Sequence, residues 1–301
     1  LKWVDGSAIK SKDIDFVIPN VEISYPDDKT IQFKLKEPYS PLPSLLTKPL
    51  IKRGTLLGTG PYRIVILEKS RIFITKIDLK SKSADLPTVS FRFYPQESVA
   101  ITGFNLGEVQ ALLDLTNTQA FSGNSKIKFK QRTDYTKIVS IFFNTQDSNL
   151  SSRSLRQALS FTAPKIEGEE VANNPYPPFL WAYDPDSKKY LSNKDQAQAA
   201  LKRAKATISE EKLKGEIILT STTNLKEVAE KIVASWRELG LNAKVRIEEG
   251  IAQNFQALLI TQSIPPDPDQ YFLWHATQTR TNLTKYDSKR ADKDLEDGRR
   301  L

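Results

Sequence analysis

The sequence predicts an α/β protein with more than one hydrophobic core, and three observations carry that reading. The chain has 301 residues, whereas a single domain usually holds roughly 100–200. Runs that alternate apolar and polar residues, the mark of half-buried strands, are interspersed with runs of helical period. One stretch, residues 216–247, reads as a complete strand–helix–strand unit.

Asp5-Gly6 is a turn signal, and Ser11 is placed to cap a short helix through Asp13, Ile14, Phe16 and Val17. Asp27-Asp28-Lys29 turns the chain into Thr30–Lys36, where Ile31, Phe33 and Leu35 alternate with polar partners as in a strand with one buried face. Glu37-Pro38 ends that strand, and Pro41 and Pro43 lead to an apolar turn at Leu45-Leu46. Gly58-Thr59-Gly60-Pro61 punctuates the chain before strand-like runs at Tyr62–Leu67, Arg71–Leu79 and Thr88–Tyr94. A helix is expected over Glu97–Leu106, stopped by Gly107. Lys126–Arg132 alternates again, and the nearly continuous apolar run Ile138–Phe143 predicts a strand buried on both faces.

In the second half, Ser151 or Ser152 caps a helix carrying Leu155, Ala158, Leu159 and Phe161. Ser192-Asn193-Lys194-Asp195 resembles a capping box ahead of Ala197–Ala206. Glu216–Thr220 is a strand, and Asn224-Leu225-Lys226-Glu227 is another capping-box pattern. The following helix carries one apolar stripe: Leu225, Val228, Ala229, Ile232, Trp236 and Leu239. Gly240 ends it, and Leu241–Ile247 returns as a strand, normally parallel to the first with a right-handed crossover.

Composition narrows function. Hydrophobic residues make up 39 % and charged residues 27 %, the balance of a folded chain. No stretch approaches the roughly 18 apolar residues of a membrane helix. Cysteine is absent, which removes disulfides, thiolate metal sites and cysteine nucleophiles together. The net charge of +8 raises nucleic acid as a partner. The basic residues, however, are scattered beside acids, as in Glu210-Glu211-Lys212, instead of gathered with aromatics. A solvated basic surface facing an anionic cell envelope fits better than a nucleic-acid site. The chain opens at Leu1-Lys2-Trp3-Val4-Asp5, neither an initiator methionine nor a signal peptide, so any targeting segment is expected upstream.

No motif demands catalysis or a cofactor. His275, the one histidine, sits in Tyr271-Phe272-Leu273-Trp274-His275, and no serine lies in a Gly-x-Ser-x-Gly elbow. A neutral histidine there is structural or ligand-facing. Asp267-Pro268-Asp269 and Asp184-Pro185-Asp186 lack the further oxygen ligands of a calcium loop and read as caps of turns or helices. Gly58-Thr59-Gly60 lacks the rest of a dinucleotide or P-loop fingerprint. Trp236 belongs to a core stripe, whereas Trp181 and Trp274 lie in loop-like segments and either line a pocket or pack into a core.

Read in order, these landmarks resemble the family 5 extracellular solute-binding proteins, the dipeptide and oligopeptide receptors of ABC transporters. Trp3-Val4-Asp5-Gly6-Ser7 with Lys12-Asp13-Ile14, and Asp28–Pro38 with its Thr30, Phe33 and Leu35, are similar to the family's opening motifs. Gly58-Thr59-Gly60-Pro61-Tyr62, Leu106-Gly107-Glu108-Val109, and Phe143-Asn144-Thr145 with Arg153-x-x-Arg156-Gln157-Ala158-Leu159 continue the series. Trp181-Ala182-Tyr183 and Asp267-Pro268-Asp269 complete it.

The resemblance implies a two-lobed periplasmic-binding-protein-like fold with a hinge and an extra subdomain. It implies an extra α/β subdomain at 1–53, the core of the first lobe at 54–137 and the second lobe at 138–301, with the ligand held between the lobes. It also implies that the family's start, with a signal and a lipid-anchor cysteine, and its end, which returns to the first lobe, lie outside this chain. The expected protein is an extracytoplasmic, monomeric, lipid-anchored binding protein. It would catalyse nothing, use no cofactor and pass a peptide or peptide-like ligand to an ABC transporter permease. The alternative is a surface sensor or adhesion protein on the same fold; a hydrolase ranks third. The candidate ligand-binding residues are Thr261, Gln262, Ser263 and Ile264, with Trp181, Tyr183, Trp274 and His275 from the aromatic segments.

One departure bears on specificity. Peptide binders of the family commonly carry an aspartate three residues before the Asp-Pro pair, which holds the ligand's free amino terminus. Here that position is Ile264, and Thr261 replaces a tryptophan common at the start of the segment. The expected ligand is therefore a blocked peptide, an apolar peptide-like compound or another neutral molecule.

Overall fold

A computed structural model describes residues 1–115, 118–250 and 252–300. Its contacts gather into two compact units, Leu1–Glu37 with Leu45–Lys130, and Pro38–Ser44 with Gln131–Leu301. The expected partition at 53 and 137 follows the chain linearly. The contact units place residues 38–44 with the second unit and change over between residues 130 and 131.

The first unit is built from hairpins. Near its start Trp3 is buried, with its indole N–H donating to Asp13 (3.1 Å), and the Val4 N–H donates to the Gly58 carbonyl (2.9 Å). The helix expected after Ser11 is a single 3-10 turn, Ser11–Asp13. The Ser11 hydroxyl donates to the Asp27 carbonyl instead of capping a helix. The reason is periodicity: Ile14 and Phe16 are two apart, and Phe16 packs edge-on against Phe33 of the next hairpin (5.5 Å). That hairpin pairs β1 (Val21–Asp27) with β2 (Thr30–Leu35), Ile23 opposite Phe33. After the one-turn α1 (Leu42–Leu45), strands β3 (Tyr62–Ser70), β4 (Phe73–Ser81) and β5 (Val89–Arg92) form an antiparallel sheet in that order. α2 (Glu97–Asn105) follows and stops at Gly107, whose φ of +77° suits glycine. The alternation at Lys126–Arg132 does not become a strand: among the described residues no neighbour pairs with it, and Phe129 simply packs near Phe121 (6.2 Å).

The second unit is a four-stranded sheet, order β6-β9-β7-β8, with β6 (Lys137–Phe143) antiparallel to β9 (Ala257–Ser263) and the remaining pairs parallel. Helices α3 (Arg153–Ser160), α4 (Lys194–Lys205) and α5 (Glu210–Lys214) precede β7 (Ile217–Ser221). Ser152 caps α3 by accepting the Leu155 N–H (3.4 Å), and Asn193 caps α4 through Gln196 N–H (2.9 Å). The predicted strand–helix–strand unit is present: β7, α6 (Lys226–Glu238) and β8 (Ala243–Ile247), with Ile217 opposite Ala243 in parallel register. Leu225, Ala229, Ile232 and Trp236 of its stripe are buried, joined by Val233, and the Trp236 indole donates to the Leu159 carbonyl (3.3 Å).

Two local expectations fail here. The Asn224 carboxamide accepts from the Thr222 hydroxyl, and α6 begins through a 3-10 turn with no side-chain cap, so the capping box is not formed. β6 is an edge strand, not a doubly buried one: among the described residues it pairs only with β9, and Val139 is 47 % exposed. Its apolar run covers one face with Ile141 and Phe143, packed against the helical core, and the other with Phe142, packed with Leu258, Ile260 and Phe255. Beyond β9 lie α7 (Tyr271–Trp274) and α8 (Lys289–Arg300).

Candidate functional site

β9 lies inside the sheet between β6 and β7, so Ala257–Ile260 are buried and the strand emerges at Thr261–Ser263. Val139, Ile138 and Lys137 stand opposite Thr261, Gln262 and Ser263. Thr261 and Ser263 are exposed, and Gln262 is half-buried. The Ile264 N–H donates to the Thr136 carbonyl (2.7 Å) and closes the pairing. Pro265 and Pro266 have no N–H to continue it.

The turn that follows is held from several sides. Asp267 accepts the Asp269 N–H (2.9 Å) and the Ser44 hydroxyl (2.9 Å). Asp269 accepts the Tyr271 N–H (3.0 Å) and so closes the turn ahead of α7, the turn-capping role the sequence suggested; α7 itself has no side-chain cap. The other Asp269 oxygen takes two N–H groups of Arg299, at 2.9 and 2.7 Å. The Arg299 guanidinium also lies 3.8 Å over the Tyr271 ring, a favourable stacking of cation on aromatic face. The Tyr176 hydroxyl donates to the Pro268 carbonyl (2.8 Å), and burial pushes that phenol up from its ordinary range. Arg299 carried no sequence signal, being one cation in a charged helix 30 residues from its partner.

His275 is 4 % exposed and its hydrogen bonds are internal. Nδ1 accepts the Thr277 N–H (3.2 Å), and a backbone amide can only donate, so Nδ1 carries no proton. Nε2–H then donates to Glu296 (3.1 Å), and the ring stacks on Tyr271 (4.1 Å). Both ring nitrogens of His275 thus have partners within the protein. Trp274 is half-buried, donates to the Gln270 carboxamide (3.3 Å) and meets Tyr286 edge-on. Trp181 is 83 % exposed, and Tyr183 is half-buried with its N–H donating to the Leu180 carbonyl (2.9 Å). Thr261–Ile264 sit at the end of β9, and Trp274 and His275 follow in and just after α7, beyond the Asp267–Asp269 turn. Trp181 and Tyr183 stay in a separate loop, linked to it through Tyr176.

A group unsingled by sequence reasoning stands beside Ile264. Tyr135 precedes Thr136; its hydroxyl donates to Glu170 (2.8 Å), and Phe179 packs edge-on against its ring (5.9 Å). The Glu170 carboxylate holds the Tyr135 phenol above its usual range. The neighbouring Asp134 accepts the Thr136 N–H (3.0 Å) and hydroxyl and pairs with Lys137 (3.3 Å). The Thr136 hydroxyl is the main cause of its lowered pKa. Asp184 closes its own turn by accepting the Asp186 N–H (2.9 Å). Among the described residues no three carboxylates or imidazoles converge as a metal site. Open cavities of about 560 Å³ beside Ser152 and Lys212, and about 240 Å³ beside Asn282 and Tyr286, include none of Thr261–Ile264.

Comparison with known proteins agrees with the motif series. Residues 4–283 match the family model described as bacterial extracellular solute-binding proteins, family 5 middle. A dipeptide-binding protein of Escherichia coli is 25 % identical over 257 residues, covering 74 % of this chain and 48 % of that protein. The oligopeptide-binding protein AppA of Bacillus subtilis is 24 % identical over 282 residues, covering 81 % of this chain and 51 % of AppA. The chain therefore spans about half the length of these curated relatives. Among solved structures, NikZ of Campylobacter jejuni in complex with Ni(L-His) superposes with a TM-score of 0.74 at 19 % identity, covering 100 % of this chain and 73 % of NikZ. The two-lobed binding-protein fold follows from such likenesses. Among the described residues no helix is long and apolar enough to cross a membrane.

Proposed function

This chain belongs to the bacterial extracellular solute-binding proteins of family 5, and from that premise we propose that it captures a peptide or peptide-like ligand outside the cytoplasmic membrane for delivery to an ABC transporter permease. It binds without catalysis; the engagement of His275 by Thr277 and Glu296 supports this. The observation that carries the specificity is Ile264. An aliphatic side chain occupies the position from which a carboxylate would hold a peptide's ammonium, and the adjacent Asp134 is already committed to Thr136 and Lys137. A charge-assisted hydrogen bond contributes about 1.5–3 kcal/mol, and a buried unpaired ammonium costs about 3–5 kcal/mol. The ligand is therefore a neutral or amino-blocked peptide or peptide-like molecule.

Calorimetric titration of the intact protein with one peptide in free-amine and N-acetylated forms tests this. The acetylated form should bind at least about tenfold more tightly, given a missing charge-assisted contact. Tighter binding of the free amine would overturn the role given to Ile264. Binding of neither, with no ligand seen by native mass spectrometry of protein from its own cells, would favour the sensor or adhesion alternative.

A further inference from the structure

The β3–β4 hairpin of the first unit ends in a turn that breaks ordinary turn chemistry. Ser70 pairs with Phe73, so Arg71 and Ile72 form a two-residue turn. Such turns favour Asn-Gly or glycine because they need positive φ. Here Arg71 adopts it, at +55°. Ile72 is 83 % exposed and Phe73 69 % exposed. Lys69 and Arg71 have no ion-pair partner among the described residues, whereas Lys76 further along is held between Glu68 (3.7 Å) and Asp78 (2.9 Å). The run Lys69-Ser70-Arg71-Ile72-Phe73 therefore presents two uncompensated cations and two large apolar side chains, with no acid among them.

We propose that this hairpin tip is an interfacial anchor that docks on an anionic lipid surface. Ile72 and Phe73 enter the boundary between headgroups and acyl chains, while Lys69 and Arg71 pair with lipid phosphates. Aliphatic and aromatic side chains beside Lys and Arg suit that boundary, where one end of the contact is apolar and the other wet and negative. The net charge of +8 carries the same complementarity over the whole chain. Size argues for lipid over protein: a stable protein interface covers roughly 800 Å² per partner, more than a two-residue tip supplies. The proposal is independent of the ligand reading above.

Phe73→Trp in the intact protein provides a reporter, read as the difference from parent emission, with co-sedimentation on phosphatidylglycerol and phosphatidylcholine vesicles. A blue shift and binding are expected with phosphatidylglycerol. Ile72→Ser with Phe73→Ser in one variant, and Lys69→Gln with Arg71→Gln in another, should each weaken binding about tenfold, with unchanged circular dichroism. No binding to phosphatidylglycerol, or binding unmoved by both double variants, overturns the proposal. So does a reporter already blue-shifted and shielded from acrylamide without lipid. That result would place another segment of the protein or a second copy on the tip, and light scattering tells these two apart.

Discussion

The two units bury their apolar residues in different ways. In the second, α6 lies on β7 and β8, α3 and α4 pack on each other, and Leu155, Ala200, Trp236, Leu219 and Leu259 join one continuous core. In the first, Trp3, Val4 and Phe121 are buried, while Val65, Ile74, Phe91 and Phe93 on or beside its sheet stay exposed. A helix laid across a sheet closes a face that a hairpin alone leaves open, because each strand turns only alternate side chains inward. The second unit therefore holds its shape through many shared contacts, and the first through a few specific ones.

The largest test of that contrast is Trp236→Ala. Removing a fully buried indole from the shared core should cost about 3–5 kcal/mol, measured by calorimetric or denaturant unfolding. The contrast breaks if Phe91→Ala, on the open sheet of the first unit, costs as much. A smaller effect is expected at the α3 cap. Ser152→Ala removes the acceptor for the Leu155 N–H and should cost about 1 kcal/mol, read as a lower urea midpoint at unchanged slope.

The smallest effect tests the first unit's reliance on specific polar contacts. The Ser7 hydroxyl, with the Ser7 N–H behind it, lowers the Asp5 pKa to about 2. Its folded pKa is thus depressed below the ordinary aspartate value of about 3.9. The associated stabilisation is present above that value and lost as pH falls toward 2. A carboxyl carbon titration by NMR should find Asp5 near that value, and Ser7→Ala should raise it. An Asp5 that titrates normally in the parent would remove this contact from the comparison.

What was legible in the sequence follows the same division. The β7–α6–β8 unit could be read because its stripe from Leu225 to Trp236 and its stop at Gly240 are local signals with the right period. β1 was missed because Val21, Ile23 and Tyr25 alternate beside Pro26, and only the partner strand makes the pattern decisive. Lys126–Arg132 failed for the converse reason, an alternation without a partner. At the candidate site, Thr261–Ile264 and the Asp-Pro-Asp turn could be located from their motif. Arg299, Tyr135 and Glu170 could not, since their roles arise from contacts across 30 or 35 residues of sequence.

Segment 38–44 carries a consequence for how the molecule is made. The Ser40 hydroxyl donates to the Gly298 carbonyl, 258 residues away in sequence, and the Ser40 N–H donates to the Arg299 carbonyl. During synthesis at about 5–20 residues per second, residue 40 waits on the order of ten to fifty seconds for these partners to be made. The ribosome thus imposes an order: the β1–β2 hairpin can form early, whereas the stitch beside Asp269 closes only after α8 has been translated.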